Sequence, residues 1–413
     1  MDLSPSPHGR SLRDAMRTFV AEQVVPAEPR FAREFAEAQA RGERHAELPV
    51  MVELKDLARG LGLWNLFLPE TIPAELGGGG GVSVLDYAHL AEQTGRSPLI
   101  APEATNGAAP DTGNMELLLR HADAEQRERW LAPLLAGEIR STFLMTEPDV
   151  ASSDPHAIAT TAIHQQGAFV IDGRKWWSSG AASPRCRIAI VMAVTGPDAP
   201  RGERHSMILV PMDTPGVQVV REVPVFGRLD GHGGHPEVRL DGVRVPAANL
   251  LGEAGAGFRM AQERLGPGRI HHCMRLLGMA ERALELLCAR ADAREAFGRR
   301  IAEQGIVQHW IAQSRVRIDQ ARLLTLRAAW RIDHEGARAA RDDISAIKLA
   351  APAAALWVLD KAIQVHGGAG VSDDTPLAMM WAHARTLRIA DGPDEVHEMV
   401  IARRELRRHR GER

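Results

Sequence analysis

Three separated stretches of the chain carry side chains able to do chemistry. The first runs from Phe143 through Met145-Thr146-Glu147-Pro148 to Ser152-Ser153-Asp154. Hydroxyls and small residues gather there at the end of an apolar run, where main-chain N–H groups could approach a planar polar heterocycle or its phosphates. A plain strand followed by an Asx or Ser turn fits the same residues equally well. The second is Gly173-Arg174-Lys175-Trp176-Trp177-Ser178-Ser179-Gly180. An aromatic face beside hydroxyls suits stacking along a ring such as isoalloxazine, although taken alone paired tryptophans in a β region read as core. The third joins Gln364-Val365-His366-Gly367-Gly368-Ala369-Gly370 to the segment Arg388–His397, which contains Asp391-Gly392-Pro393. Glycine-rich breaks between helices permit close approach of backbone to a ligand. A carboxylate followed by Gly-Pro sits at a forced helix interruption, hence in a cleft, but a lone Asp before Gly is most often a turn residue.

The elements that must position these stretches differ in texture. From Ser11 to about Arg140 the pattern is helical, as in Leu12–Val20, and is broken by the five glycines Gly77–Gly81. Such a run loses too much backbone entropy for a helix or strand and predicts a mobile surface loop. From Ser141 to Pro246 short β-type runs alternate with turn residues: Phe169–Ile171, Ile188–Met192, Met207–Val210 and Val217–Val220. Their close spacing favours an antiparallel sheet or barrel over βαβ units. From Gly257 onward the chain is helical again, with Val307, Ile311, Ile318, Ala321, Leu324 and Ala328 spaced as one stripe. Long, Ala-rich amphipathic segments predict a helix bundle. The expected division is residues 1–140, 141–252 and 253–413, in keeping with a length that supports two or three units.

Composition removes several function classes. A formal net charge of −3 gives no bulk attraction for nucleic acid or an anionic membrane. Cys186, Cys273 and Cys288 are far apart and suggest neither a disulfide framework nor a zinc site. The Met1–Pro5 start lacks a secretory pattern, and no stretch approaches the ~18–20 apolar residues of a membrane span, so a cytoplasmic location is expected. Neither a P-loop, an H-E-x-x-H, a G-x-S-x-G nor a strand–G-x-G-x-x-G–helix unit is present. The histidine pairs His232/His235 and His271/His272 lack a partnering carboxylate pattern and read as surface or loop residues rather than metal ligands.

In this order, across a helical–β–helical chain, the segments resemble the acyl-CoA dehydrogenase family. The most specific places are Met145–Pro148 with Ser153-Asp154, Lys175–Trp177, Arg294-Glu295-Ala296-Phe297-Gly298 and Gln364–Gly370. Trp177–Ser179 and Ile389–His397 resemble the branch that includes the mammalian family members ten and eleven. The resemblance implies an α+β multi-domain fold: an N-terminal helical domain, a middle antiparallel β-barrel-like domain and a C-terminal four-helix bundle, with FAD between the latter two. Met145, Thr146 and Ser153 match positions that hydrogen-bond the flavin and its pyrophosphate. Trp177 and Ser179 match the pair lying along the flavin. Arg294, Phe297, Gln364, Gly367 and Gly368 match residues reaching the FAD of a neighbouring subunit, which implies a homodimer or homotetramer.

The activity implied is α,β-dehydrogenation of a fatty acyl-CoA to a trans-2-enoyl-CoA, a step of fatty acid β-oxidation. A base removes the α proton, the β hydrogen leaves as hydride to flavin N5, and electrons pass to an electron-transfer flavoprotein. Asp391 falls where many members carry a catalytic glutamate, and is one methylene shorter. Misplacement of a base by about 1 Å costs roughly 100-fold in rate. Some members carry the base on an earlier helix, where this chain has Gly268; the neighbouring Glu263 is a distant second choice. Gly305 stands where many relatives have a glutamine touching the partner's FAD. Arg269 matches an arginine near the substrate mouth and implies a CoA-phosphate contact, whereas Arg403–Arg410 reads as a solvated helix end. Two other readings stand beside the dehydrogenase: a flavin oxidase acting on acyl-CoA or a small activated acid such as a nitroalkane, and a non-catalytic member that binds FAD or CoA.

Overall fold

The β-type runs enter one sheet, and its hydrogen bonding decides where the first two chemical segments lie. The computed structural model describes residues 1–76, 78–229 and 233–411; Gly77 and His232, singled out above, lie outside them. Eight strands make the sheet: β1 (Arg140–Leu144), β2 (Thr161–Gln165), β3 (Ala168–Lys175), β4 (Cys186–Val194), β5 (His205–Pro211), β6 (Val217–Glu222), β7 (Pro236–Pro246) and β8 (Leu250–Leu251). Their order is β6-β7-β3-β2-β4-β5-β8, with β1 pairing β4. Most neighbours are antiparallel as expected, but β4 pairs in parallel with both β1 and β2. The continuous apolar run Ile188–Ala193 makes β4 suitable for this central place, because it is buried on both faces. Leu144, Ile171, Val191, Ile208, Val210, Val238 and Leu240 fill the core of the sheet.

The chain divides into two compact units: one of Ala27–Gly81 with Glu103–Leu265, the other of Met1–Pro26, Val82–Pro102 and Gly266–Arg413. The first, the sheet unit, also holds the glycine run. Gly78, Gly79, Gly80 and Gly81 all have positive φ. A Cβ on Gly79 would lie 2.0 Å from the Trp64 carbonyl oxygen, and one on Gly80 1.9 Å from that of Glu70. Gly79 and Gly80 are therefore required by close approach to neighbouring backbone, while Gly78–Gly81 remain half-buried or exposed.

The second, helical unit contains α1 (Pro7–Phe19), α2 (Val84–Gly95), the part of α3 (Gly257–Ala293) from Gly266 on, α4 (Gly305–Glu335), α5 (Arg341–His366), α6 (Leu377–Thr386) and α7 (Asp394–His409). The predicted stripe on α4 turns inward: Val307, Ile318, Ala321 and Ala328 are buried, Ile311 and Leu324 half-buried. Helices α2 and α3 touch backbone to backbone, since a Cβ on Gly278 would lie 1.9 Å from the Glu92 carbonyl oxygen. Arg403–Arg410 forms the largely exposed end of α7, where Arg404 and Arg408 pair with Asp342. No helix among the described residues is long and apolar enough to cross a membrane.

Candidate functional site

In the sheet unit, one buried lysine ties the first two segments together. Lys175, at the end of β3, is 0% exposed, and its Nζ donates to the Met145 carbonyl at 3.1 Å, the Met192 carbonyl at 2.8 Å and Glu147 Oε1 at 2.8 Å. Glu147 also accepts from the Ala159 and Thr160 main-chain N–H groups. Burial pushes the Lys175 ammonium down to about 8, against the attraction of Glu147. For Glu147 burial pushes upward, but Lys175 and the hydrogen bonds prevail and hold it below the usual carboxylate value. The Trp176 N–H donates to the Thr146 carbonyl at 3.0 Å. Met145–Thr146 and Trp176–Ser179 thus lie side by side.

Trp177 is 39% exposed, which corrects the reading of both tryptophans as core. Its φ is +52°, in the left-handed region. Ser179 Oγ lies 2.8 Å from His235 Nδ1, so His235 is a hydrogen-bonding partner in this segment. Two buried polar atoms, Trp176 Nε1 and Ser178 Oγ, have no protein partner. An outward indole, a neighbouring hydroxyl and unsatisfied polar atoms fit a planar polar heterocycle such as a flavin. Ser153 is exposed beyond the turn in which Ser152 Oγ accepts from the Glu147 N–H at 2.9 Å.

In the helical unit, Asp391 sits between α6 and α7 with its side chain 26% exposed. The turn is strained, with φ +58° at Asp391 and +100° at Gly392. Two cations, half-buried Arg269 and buried Lys348, hold it through its carbonyls. Arg269 donates to the Asp391 carbonyl through Nε at 3.2 Å and an Nη at 2.9 Å. Lys348, 2% exposed on α5, donates to the carbonyls of Leu387 at 2.6 Å and Ala390 at 2.8 Å. These carbonyls follow the end of α6, where unsatisfied acceptors favour a cation. Burial pushes both Arg269 and Lys348 downward, and the charge of Asp391 opposes this in each. His397 packs beneath Gly392 at 3% exposure with neither ring nitrogen hydrogen-bonded.

Of the seven non-glycine residues with positive φ among the described residues, three are Trp177, Phe297 and Asp391. Strained backbone persists where surroundings enforce it and concentrates at functional positions, so this independent signal falls on residues chosen for their chemistry. Phe297 is 100% exposed at the tip of a hairpin joining Glu295–Ala296 to Arg299–Arg300, with exposed Arg294 at its base. Gln364, Gly367 and Gly368 are exposed at the end of α5. Glu263 is engaged by His121 at 2.8 Å. Gly268 and Gly305 face open space.

Sequence reasoning passed over Lys348, His272 and His397. A lone lysine in the apolar stretch Ile344–Ala355 was the available signal for the first. The reading of His271 and His272 as surface or loop residues is corrected: both lie on α3. His271 is buried edge-on against Tyr87 at 4.5 Å, and His272 Nε2 lies 3.6 Å from Asp391 Oδ2. Nothing in a bare sequence distinguishes such positions from ordinary helix histidines.

Comparison with known proteins places this arrangement. Models of the N-terminal, middle and C-terminal domains of acyl-CoA dehydrogenases match residues 6–138, 142–243 and 255–406. The chain is 55% identical over 410 residues to the probable acyl-CoA dehydrogenase FadE2 of Mycobacterium tuberculosis, covering 99% of this chain and 98% of that protein. It is 50% identical over 403 residues to acyl-CoA dehydrogenase family member 11 of Mus musculus, covering 97% of this chain but only 51% of that longer protein. A solved Mycobacterium abscessus structure assigned to the acyl-CoA dehydrogenases superposes with a TM-score of 0.94 at 50% identity, covering 98% of this chain and 100% of that one. Members of this family use FAD. With its N-terminal helical, middle β-sheet and C-terminal helical domains, the chain belongs to the acyl-CoA dehydrogenase family, oxidoreductases acting on CH–CH groups.

Proposed function

We propose that the chain oxidises a fatty acyl-CoA to the trans-2-enoyl-CoA, with Asp391 as the base for the α proton and an electron-transfer flavoprotein as the final acceptor. The observation that carries this reading is the Asp391 carboxyl: partly exposed, on a turn whose carbonyls are held by Arg269 and Lys348. An α proton beside a thioester is weakly acidic, so a carboxylate must be held at a fixed place against that carbon. Bound FAD supplies the acceptor for the hydride that leaves the β carbon. Met145, Thr146, Ser153, Trp177 and Ser179 would hold the flavin. Arg294, Phe297, Gln364, Gly367 and Gly368 would serve the cofactor of a second copy, making the enzyme a homodimer or homotetramer. A fully exposed Phe297 supports that reading, because an aromatic ring left in water gains from a partner.

Anaerobic titration of the purified protein with acyl-CoAs of several lengths, beside Asp391→Asn, tests the proposal. Bleaching of the flavin band by wild type and its loss by at least ~100-fold in rate in the variant are expected. Flavin that no acyl-CoA bleaches would sink the dehydrogenase reading, while equal bleaching by the variant would reassign the base. Rapid oxygen consumption by the reduced protein would favour the oxidase.

A further inference from the structure

Two side chains on one face of α3 address the Asp391 turn. Arg269 takes its main-chain carbonyl; His272, three residues on and so on the same helical face, points its Nε2 at the carboxylate. We propose that His272 is a positioning residue for Asp391, donating its Nε2 hydrogen to Oδ2 so that the other carboxylate oxygen is directed at the substrate's α carbon. This rests on the reading of Asp391 as base.

The separation of 3.6 Å is just beyond a hydrogen bond, and a small side-chain rotation closes it. Both groups are partly accessible, the imidazole 21% and the carboxylate 26%, so the pair lies at the edge of the core where substrate could arrive. Adjacent His271 provides the contrast, since its ring is buried edge-on against Tyr87. The charges of Asp391, Arg275, Lys348 and His383 act on the His272 ring, and Arg269 lies one turn away on α3. Burial pushes its ionisation down to about 4; Asp391 opposes this, and the cations Arg275 and Lys348 add to it. His272 is therefore neutral near pH 7, a donor through one nitrogen that adds no full charge.

Arg269 and Lys348 hold the backbone of the Asp391 turn through its carbonyls. A neutral N–H donated to Oδ2 would add a hold on the carboxylate itself without adding a full charge.

The test uses FAD-loaded enzyme and the variants His272→Gln, His272→Asn and Asp391→Asn. Glutamine presents an amide N–H near the Nε2 position, whereas asparagine is too short to reach. Flavin reduction by an acyl-CoA is followed from about pH 5 to 9, and base action is followed separately as exchange of the α hydrogen into heavy water by NMR. Expected for His272→Asn is a fall of ~10- to 100-fold in kcat and in exchange, little change in KM, and an acid limb moved to higher pH. His272→Gln is expected to recover most of the loss and the wild-type acid limb. Equal impairment of both variants would overturn the inference in favour of ring packing, and wild-type behaviour of His272→Asn would overturn it outright. Unimpaired exchange in Asp391→Asn would instead overturn the base assignment and the inference with it. An inactive Asp391→Asn beside a wild-type His272→Asn would remove the inference alone.

Discussion

Two buried lysines, one in each unit, organise the two chemical regions, and they do so differently. Lys175 in the sheet unit is paired with a carboxylate, Glu147, as well as two carbonyls. Lys348 in the helical unit donates to two carbonyls, with Asp391 and Asp394 acting only through their charge. The first cation is neutralised where it sits and acts as a strut joining β1 to β3. The second leaves its charge directed at a turn whose carboxylate is accessible. A buried charge compensated internally supports structure; one compensated by a reactive group links stability to chemistry.

The largest expected effect lies on the compensated side. Lys175→Met leaves Glu147 buried and unpaired and should cost about 3–5 kcal/mol of stability, read by denaturant unfolding. A variant as stable as wild type would break the comparison. Lys348→Met leaves two buried carbonyls unsatisfied but strands no hydrogen-bonded carboxylate, so about 1–3 kcal/mol is expected. Its rate of flavin reduction should fall further than its stability, because the Asp391 turn loses an anchor; stopped-flow traces on the folded variant decide this.

Acidification separates the two regions next. Burial, with Arg269 and Lys348 adding to it, pushes His397 down to about 4, below the ~6.5 of an unfolded chain. Between these values the unfolded state binds the proton first, so stability falls as pH falls. The slope from this one group is at most about 1.4 kcal/mol per pH unit. His397→Phe should flatten stability against pH in that window. Glu147, held low by Lys175, should release its contribution only at more acid pH, below its ordinary ~4.3. The smallest effect is expected for Arg269→Lys, which keeps the charge but loses the two-pronged donation to Asp391. Less than about a tenfold loss in rate of flavin reduction is expected, and a loss as large as that of Asp391→Asn would show that charge placement alone does not explain the clamp.

Much of this molecule was legible in its residues. Short continuous apolar runs such as Ile188–Met192 and the stripe Val307–Ala328 are local patterns of strand and helix that can be read along the chain. Asp391-Gly392-Pro393 announced a helix break because proline and glycine act on the backbone next to them. The parallel pairing of β4 with β1 was not legible, since β1 ends more than forty residues before β4 begins and nothing local encodes the partner. The close packing of Gly79 was not legible for a similar reason, as the nearest atom that excludes a Cβ there belongs to Trp64.

The sequence by itself determined the element types and the order of helical and sheet regions, because each follows from side chains acting on their own stretch of chain. Only the tertiary structure decided that Trp177 and Phe297 face outward, that Asp391 is held in a strained turn, and that Arg269, His272 and Lys348 converge on it. Lys348 and Asp391 are 43 positions apart in the chain, and their attraction arises only when packing removes the water between them.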